Sequence, residues 1–327
     1  MKIGFFADGP WSHKALEYIK ETGDVQISFI VARHPSPDPI LRDWSIRLNV
    51  PFYVTENINC ESFINQVRHR SDLNVSLSFD QIIKDELINL APLKFINCHA
   101  GALPFYRGRN ILNWAIINGE TNFAVTVHYV DKNIDSGDII IQDIVPIETY
   151  DDYGSILQKA YKQCALSLVK AMVAIKNGKL FSRSQKEIHP IGFYCGRRVQ
   201  GDEWINWNNP SILIHNFIRG ISKPGPCART LLNAKEIAIC KSNLINDAPS
   251  YICTPGEVVG KSEAGSIVKT GDSTILIKSV ADCNGIDISN ERLARFKIGT
   301  RFGFNPFMKI TQLEKRIKDL EMKKPME

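Results

Sequence analysis

Three polar residues of this 327-residue chain have the types and the placement that acyl transfer would use. Asn97 and His99 lie in Asn97-Cys98-His99-Ala100-Gly101-Ala102-Leu103-Pro104-Phe105-Tyr106-Arg107-Gly108, and Asp135 lies in Ile134-Asp135-Ser136-Gly137-Asp138-Ile139. An amine attacking an acyl carbon needs a donor for the developing oxyanion, a group that manages the amine proton and a third that orients it. Asn97 can offer an amide N–H, His99 can carry the proton or meet the oxyanion, and Asp135 can orient or polarise the imidazole. Taken singly, each has a plainer use: Asn97 closing a strand, His99 as a satisfied loop histidine, Asp135 as a turn residue.

These residues need a strand that ends in a loop. Phe95 to His99 reads as such a strand and runs into Gly and Pro, and Asn97 and His99, two apart, point to one face. In open α/β sheets, ligands bind at the carboxyl ends of strands. Upstream, an apolar run over 3–7, a helical pattern over 12–21 behind Ser12 and a strand over 25–31 form a βαβ unit, which implies a parallel sheet. Helices over 39–48 and 62–69 alternate with strands over 51–54 and 75–79. Beyond the site follow a buried helix over 111–117, strands over 123–130 and 139–147 joined by the Asp131 to Asp138 loop, and a long helix capped at Asp151 or Asp152 and running to about Asn177.

The expected fold is therefore α/β: a Rossmann-like, mostly parallel sheet domain over 1–190, a smaller β-rich, barrel-like domain over 200–290 and a helical tail over 300–327. Residues 179–200 lose periodicity and read as a linker. In the tail, Ile310, Leu313, Ile317 and Leu320 recur at three and four residues, a stripe that admits a homodimer. A net charge of +5 with dispersed Lys and Arg argues against an extended nucleic-acid groove and suits small anionic substrates. The eight cysteines lack metal-ligand spacing, so no metal is expected and the thiols read as reduced, as in a cytoplasmic protein. No segment has the length and apolarity of a signal peptide or membrane span.

Asn-x-His, then Leu-Pro-x-Tyr-Arg-Gly, then Ile-Asp-Ser-Gly-Asp-Ile resembles the signature of the folate-dependent formyltransferases. The similarity spans roughly residues 1–280 and extends to Trp204-Ile205-Asn206-Trp207 and Ile214 to Pro226, which resemble the opening of that family's carboxy-terminal domain. It implies N10-formyltetrahydrofolate as formyl donor, with Asn97, His99 and Asp135 as the catalytic trio. It also implies a pterin pocket lined by Ser78, Phe79, Asp80, Gln81 and Ile82 together with the Asp135 to Ile139 loop, Asp138 included. Two departures are present: His99-Ala100-Gly101-Ala102-Leu103-Pro104 where many members have His-Pro-Ser-Leu-Leu-Pro, and Gly225-Pro226-Cys227-Ala228 where many have Tyr-Pro-Gly-Ala.

Phe105 to Trp114 resembles members that act on nucleotide-linked 4-amino or 3-amino deoxysugars, which places Arg107, Gly108, Arg109 and Asn110 toward the acceptor. Arg107 and Arg109 could pair a diphosphate or form structural ion pairs. The leading expectation is formyl transfer to a dTDP-, UDP- or GDP-linked amino sugar for a surface glycan such as O-antigen lipopolysaccharide, without nucleic-acid or membrane partners. Methionyl-tRNA formyltransferase is the alternative enzyme, and a non-catalytic folate- or nucleotide-binding module is the alternative outside catalysis. Three further features carry plainer expectations. His128 reads as packed or solvent-facing, Trp204 and Trp207 as core more than base-stacking residues, and Asp8-Gly9-Pro10-Trp11-Ser12 as a turn that could cradle a phosphate but lacks G-x-G-x-x-G.

Overall fold

A computed structural model describes residues 1–179, 182–233, 235–285, 287–303 and 306–321. Two compact units emerge: Met1–Ile116 with Glu120–Arg198, and Ile117–Gly119 with Val199–Glu327.

The first unit runs β1 (Lys2–Ala7), α1 (Gly9–Thr22), β2 (Gln26–Ala32), α2 (Pro39–Leu48), β3 (Phe52–Val54), α3 (Glu61–Val67), β4 (Leu73–Leu77), α4 (Asp85–Ile88), β5 (Phe95–His99), β6 (Arg107–Gly108), α5 (Ile111–Ile117), β7 (Asn122–Tyr129), β8 (Ile139–Pro146), α6 (Tyr153–Lys176), α7 (Gln185–Ile188) and β9 (Tyr194–Cys195). Its main sheet has the order β3-β2-β1-β4-β5-β7-β8. The β1–β5 pairings are parallel, whereas β7 runs antiparallel to both β5 and β8. One core cluster joins Ile3, Phe5, Val75 and Ile96 of the sheet to Leu16 and Ile19 of α1 and Ile156, Leu168 and Met172 of α6. A second gathers Phe6, Phe29, Phe63 and Phe95, with Phe6 edge-on to Phe29, Phe63 and Phe79. This aromatic packing buries large apolar area and sets ring geometry, so it locks β1, β2, β5 and α3 in register.

Several boundaries differ from the sequence expectation. Helix α1 starts at Gly9 rather than Ser12, whose buried hydroxyl instead donates to the Gly9 carbonyl at 2.6 Å. The fourth strand ends at Leu77, because Ser78 takes a left-handed conformation at φ 57° that an extended ladder cannot accept. Residues 179–200 are more than a linker. Arg183 exchanges two 2.8 Å backbone hydrogen bonds with Ile139, α7 follows, and β9 pairs with β6.

The second unit contains α8 (Ser211–Gly220), β10 (Ala228–Leu232), β11 (Lys235–Leu244), β12 (Val258–Ser262), β13 (Gly265–Lys269) and β14 (Thr274–Asn284). These strands form an antiparallel sheet of order β10-β11-β14-β13-β12, and α9 (Pro306–Glu321) closes the described chain. Ile214 and Ile218 of α8 pack with Val258, Val268, Ile275 and Ile277. Trp207 lies in this core, stacked on Phe302 and donating its indole N–H to Thr230, while Trp204 stays half exposed. The Ile310, Leu313, Ile317 and Leu320 stripe is likewise exposed. All eight cysteines are free thiols, and no described helix is long and apolar enough to cross a membrane.

Candidate active site

A cavity of about 1040 Å³ opens at the carboxyl ends of β4 and β5, and Asn97, His99, His128 and Asp135 all line it. Register explains the first part of this grouping: β5 pairs with β7 so that Asn97 faces His128 and His99 faces Thr126. Thr126 in turn donates to the Gly101 carbonyl at 2.6 Å, which folds the loop after β5 back over His99.

His99, 9% exposed, places Nε2 2.7 Å from the Tyr106 carbonyl. A carbonyl only accepts, so Nε2 carries the hydrogen, and in the neutral form of the ring the lone pair lies on Nδ1. That Nδ1 lies 3.6 Å from Asp135 Oδ2. His128 is oriented by the same logic, its Nδ1–H donating to the Tyr129 carbonyl at 2.7 Å. Its Nε2 then accepts from Asn97 Nδ2 at 3.2 Å, while the same amide nitrogen donates to Asp135 Oδ1 at 3.3 Å. Both amide hydrogens of Asn97 are thus engaged, each in a long bond.

Asp135 is the centre of this network. Its Oδ2 accepts the Gly108 N–H at 2.9 Å, and its Oδ1 lies 3.6 Å from His128 Nε2. Burial pushes the carboxyl pKa up, but the His99 and His128 imidazoles in their protonated form, together with the Gly108 N–H, outweigh it and hold the group well below the usual carboxylate range. Its backbone is held at φ 51°, in the left-handed region. The surrounding motif makes that turn possible. Ser136 donates to Asp131 at 2.6 Å, and Gly137 is required because a Cβ there would lie 1.9 Å from the Tyr129 carbonyl oxygen.

One wall of the cavity carries Ser78, Phe79, Asp80, Gln81 and Ile82, the residues that the resemblance assigns to a pterin pocket. Gln81, however, has both ends of its amide committed, accepting from the Ile58 N–H at 3.0 Å and donating to the Thr55 carbonyl at 2.9 Å. Arg33 reaches Asp8 through Nη2 and Asp80 Oδ2 through Nε, each at 3.2 Å, and Asp80 Oδ1 is buried without a hydrogen-bond partner. An orphaned acceptor at a cavity wall fits the amine edge of a pterin, which can supply the donor. Asp138 does not join them: its side chain is exposed and absent from the cavity wall, and its carbonyl accepts the Tyr129 N–H.

The acceptor residues divide in the same way. Gly108, Arg109 and Asn110 line the cavity beside Tyr194, Cys195 and Arg197, brought there by the β6–β9 pairing. Arg107 does not. Its guanidinium holds Gln185 Oε1 through Nε at 3.1 Å and Nη2 at 2.7 Å and lies over the Tyr194 ring, so a diphosphate role is replaced by a structural one. The Asp8 to Ser12 turn also offers no phosphate cradle. The Gly9 N–H donates to Asp38 Oδ2 at 3.0 Å, and Asp8 and Asp38 make the turn acidic.

Sequence reasoning passed over Gln185 and the 194–197 wall, and it read His128 as packed or solvent-facing, where the structure has it buried on the cavity wall. The signal for His128 was its place on an alternating strand, but which residue it faced depends on a register that sequence spacing does not contain. Among the described residues no group of three or more His, Cys, Asp or Glu could hold a metal ion.

The formyl transferase family model matches residues 13–172, and the formyl transferase carboxy-terminal domain model matches 199–294. A methionyl-tRNA formyltransferase of Fusobacterium nucleatum is 30% identical over 315 residues, covering 92% of this chain and 99% of that protein. Among solved structures, WlaRD, described as a sugar 3N-formyl transferase, shares the fold at a TM-score of 0.64 and 24% identity, over 85% of this chain and 97% of that one. An N-formyltransferase from Helicobacter canadensis does so at 0.63 and 23%, over 85% and 99%. With the Asn-x-His strand end, the ionised aspartate and two matching domains, the chain belongs to the formyl transferase family.

Proposed function

We propose that this formyltransferase moves the formyl group of N10-formyltetrahydrofolate onto the amino group of a nucleotide-linked amino-deoxysugar, with Asn97, His99 and Asp135 as its catalytic residues. The observation that carries the reading is the 2.7 Å contact between His99 Nε2 and the Tyr106 carbonyl. With Nε2–H spent on Tyr106, the free Nδ1 lone pair sits beside an ionised carboxylate on the cavity wall, placed to take a proton from an attacking amine. The donor supplies the electrophilic formyl carbon.

The proton path closes within the chain's own residues. As the acceptor nitrogen bonds to the formyl carbon, His99 Nδ1 takes its proton and Asp135, 3.6 Å away, stabilises the imidazolium. Once that ion pair forms, Asp135 no longer needs the 3.3 Å bond from Asn97, whose N–H turns to the oxyanion. Collapse breaks the bond between the formyl carbon and N10, and His99 returns the proton to the departing nitrogen. The products are the formamide and tetrahydrofolate.

Two features support a sugar nucleotide as acceptor. Arg109 and Arg197 stand on the cavity wall without a carboxylate partner among the described residues, suited to a diphosphate, and Tyr194 beside them offers an aromatic face. The fold neighbours also include proteins described with dTDP and with dTDP-3-aminofucose. A second reading, formylation of charged initiator tRNA, is favoured by the 30% identical relative. Incubating the protein and N10-formyltetrahydrofolate with dTDP-, UDP- and GDP-linked amino sugars, and separately with methionyl-tRNA, tests both. The expected result is the mass gain of a formyl group on an amino sugar alone; formylation of the tRNA alone would replace the first reading with the second.

A further inference from the structure

Gln185 is 2% exposed, yet every hydrogen-bonding position of its side-chain amide is filled. Nε2 donates to the Asp135 carbonyl at 2.9 Å and to the Gly137 carbonyl at 2.8 Å. Oε1 accepts from Arg107 Nε at 3.1 Å and Nη2 at 2.7 Å. Arginine has only donors, so the guanidinium fixes which end of the amide is oxygen and aims the NH2 group at the two carbonyls. Gln185 itself is delivered by the Arg183–Ile139 bridge, which lies directly after the same turn.

The bonds fall where the backbone needs them. A non-glycine residue in the left-handed region costs on the order of 1–3 kcal/mol and persists only when its surroundings over-determine it. At Asp135, φ 51°, the carboxylate is held by Gly108 and Asn97, but those bonds reach the side chain alone. Gln185 is the side chain that grips the backbone on both sides of Ser136, closing the turn that aims the carboxylate at His99.

We infer that Gln185, oriented by Arg107, is a positioning residue for Asp135, acting on formyl transfer by clamping the 135–137 backbone without touching substrate. The inference rests on the reading of Asp135 as catalytic. A glutamine in this place, unlike a leucine of similar volume, converts the charge of Arg107 into directed donors for two carbonyls.

The test is a double-mutant cycle with Gln185→Leu and Asp135→Asn, read with the acceptor that the panel identifies, together with a crystal structure of Gln185→Leu. Gln185→Leu should lower kcat roughly 10- to 100-fold, since a misplacement of about 1 Å costs on that order, while KM for donor and acceptor stays within about twofold. Added to Asp135→Asn it should slow turnover by no more than about twofold, because both changes act through one carboxylate. In the crystal the Asp135 carboxylate should leave the Gly108 N–H. Full additivity, wild-type kcat in Gln185→Leu, or an unmoved Asp135 would overturn the inference. Should Gln185→Leu fail to fold, Arg107→Leu, which leaves the amide without its anchor, carries the same expectations. Wild-type turnover in Asp135→Asn would instead remove the catalytic reading of Asp135, and the crystal structure would still decide whether Gln185 positions it.

Discussion

Replacing Asp135 by asparagine removes one charge with almost no change in shape, and the structure sets the size of the effect. The carboxylate lies 3.6 Å from His99 Nδ1, with only 11% of its side chain exposed. Two unit charges at that distance interact by about 4–5 kcal/mol at an effective dielectric near 20. If His99 carries a proton in the transition state, that interaction is absent from the resting neutral ring and present at the barrier. Its loss should therefore fall on kcat, by roughly 10³-fold at 1.36 kcal/mol per decade. The amide of Asp135→Asn also accepts at one oxygen only, so the Gly108 N–H or the Asn97 N–H loses its acceptor. The cavity wall of Ser78 to Ile82, proposed to face the donor, is untouched, and KM for the formyl donor should change by less than about threefold. The assay is steady-state formation of tetrahydrofolate with saturating acceptor, with circular dichroism confirming the fold. A kcat within about tenfold of wild type would refute the claim that a charge develops on His99 beside this carboxylate.

Three further outcomes follow from particular contacts. In Gly101→Ala the new Cβ would lie 2.5 Å from both His99 Nε2 and the Tyr106 carbonyl oxygen, inside the bond that sets the tautomer; turnover should fall at least about 100-fold, and an active variant would show that bond to be dispensable. Phe6→Ala, at 0% exposure among Phe29, Phe63, Phe79 and Phe95, should cost about 3–5 kcal/mol in urea unfolding and raise KM for the donor through Phe79 on the cavity wall. His215 is held neutral in the fold, first by burial and then by Arg219, its pKa pushed down from 6.5 to about 4. Because the unfolded chain binds that proton more readily, stability should be unaffected above pH 6.5 and fall as pH drops toward 4, by at most about 3 kcal/mol after solvent screening. Urea titrations at pH 7 and pH 4.5 should show this slope in wild type and a shallower one in His215→Gln; equal slopes would exclude His215 as the source.

Much of the first unit is legible in the residue pattern. The apolar strands at 3–7 and 25–31, the paired strands around the Asp131 to Asp138 loop and the long helix capped at Asp152 all follow from local periodicity and capping, which act over a few residues. The ends of elements were harder. Ser78 leaves the strand because of its backbone conformation, and α1 begins before Ser12 because Pro10 suits a first helical turn and Asp38, distant in sequence, takes the Gly9 N–H.

The sequence by itself determined which groups could act, since Asn97 and His99 must share a face two residues apart on any strand. Only the tertiary structure decided what those groups do to one another. The β5–β7 register set His128 against Asn97, the loop after β5 brought the Tyr106 carbonyl onto His99 Nε2, and the β6–β9 pairing turned Arg107 to Gln185 while leaving Arg109 on the cavity. The physical reason is the range of the interactions. Side-chain periodicity reaches a few residues, whereas the hydrogen bonds that choose a tautomer, hold an ionised carboxylate or commit an arginine join residues as far as 78 positions apart, and their partners exist only once the chain has folded.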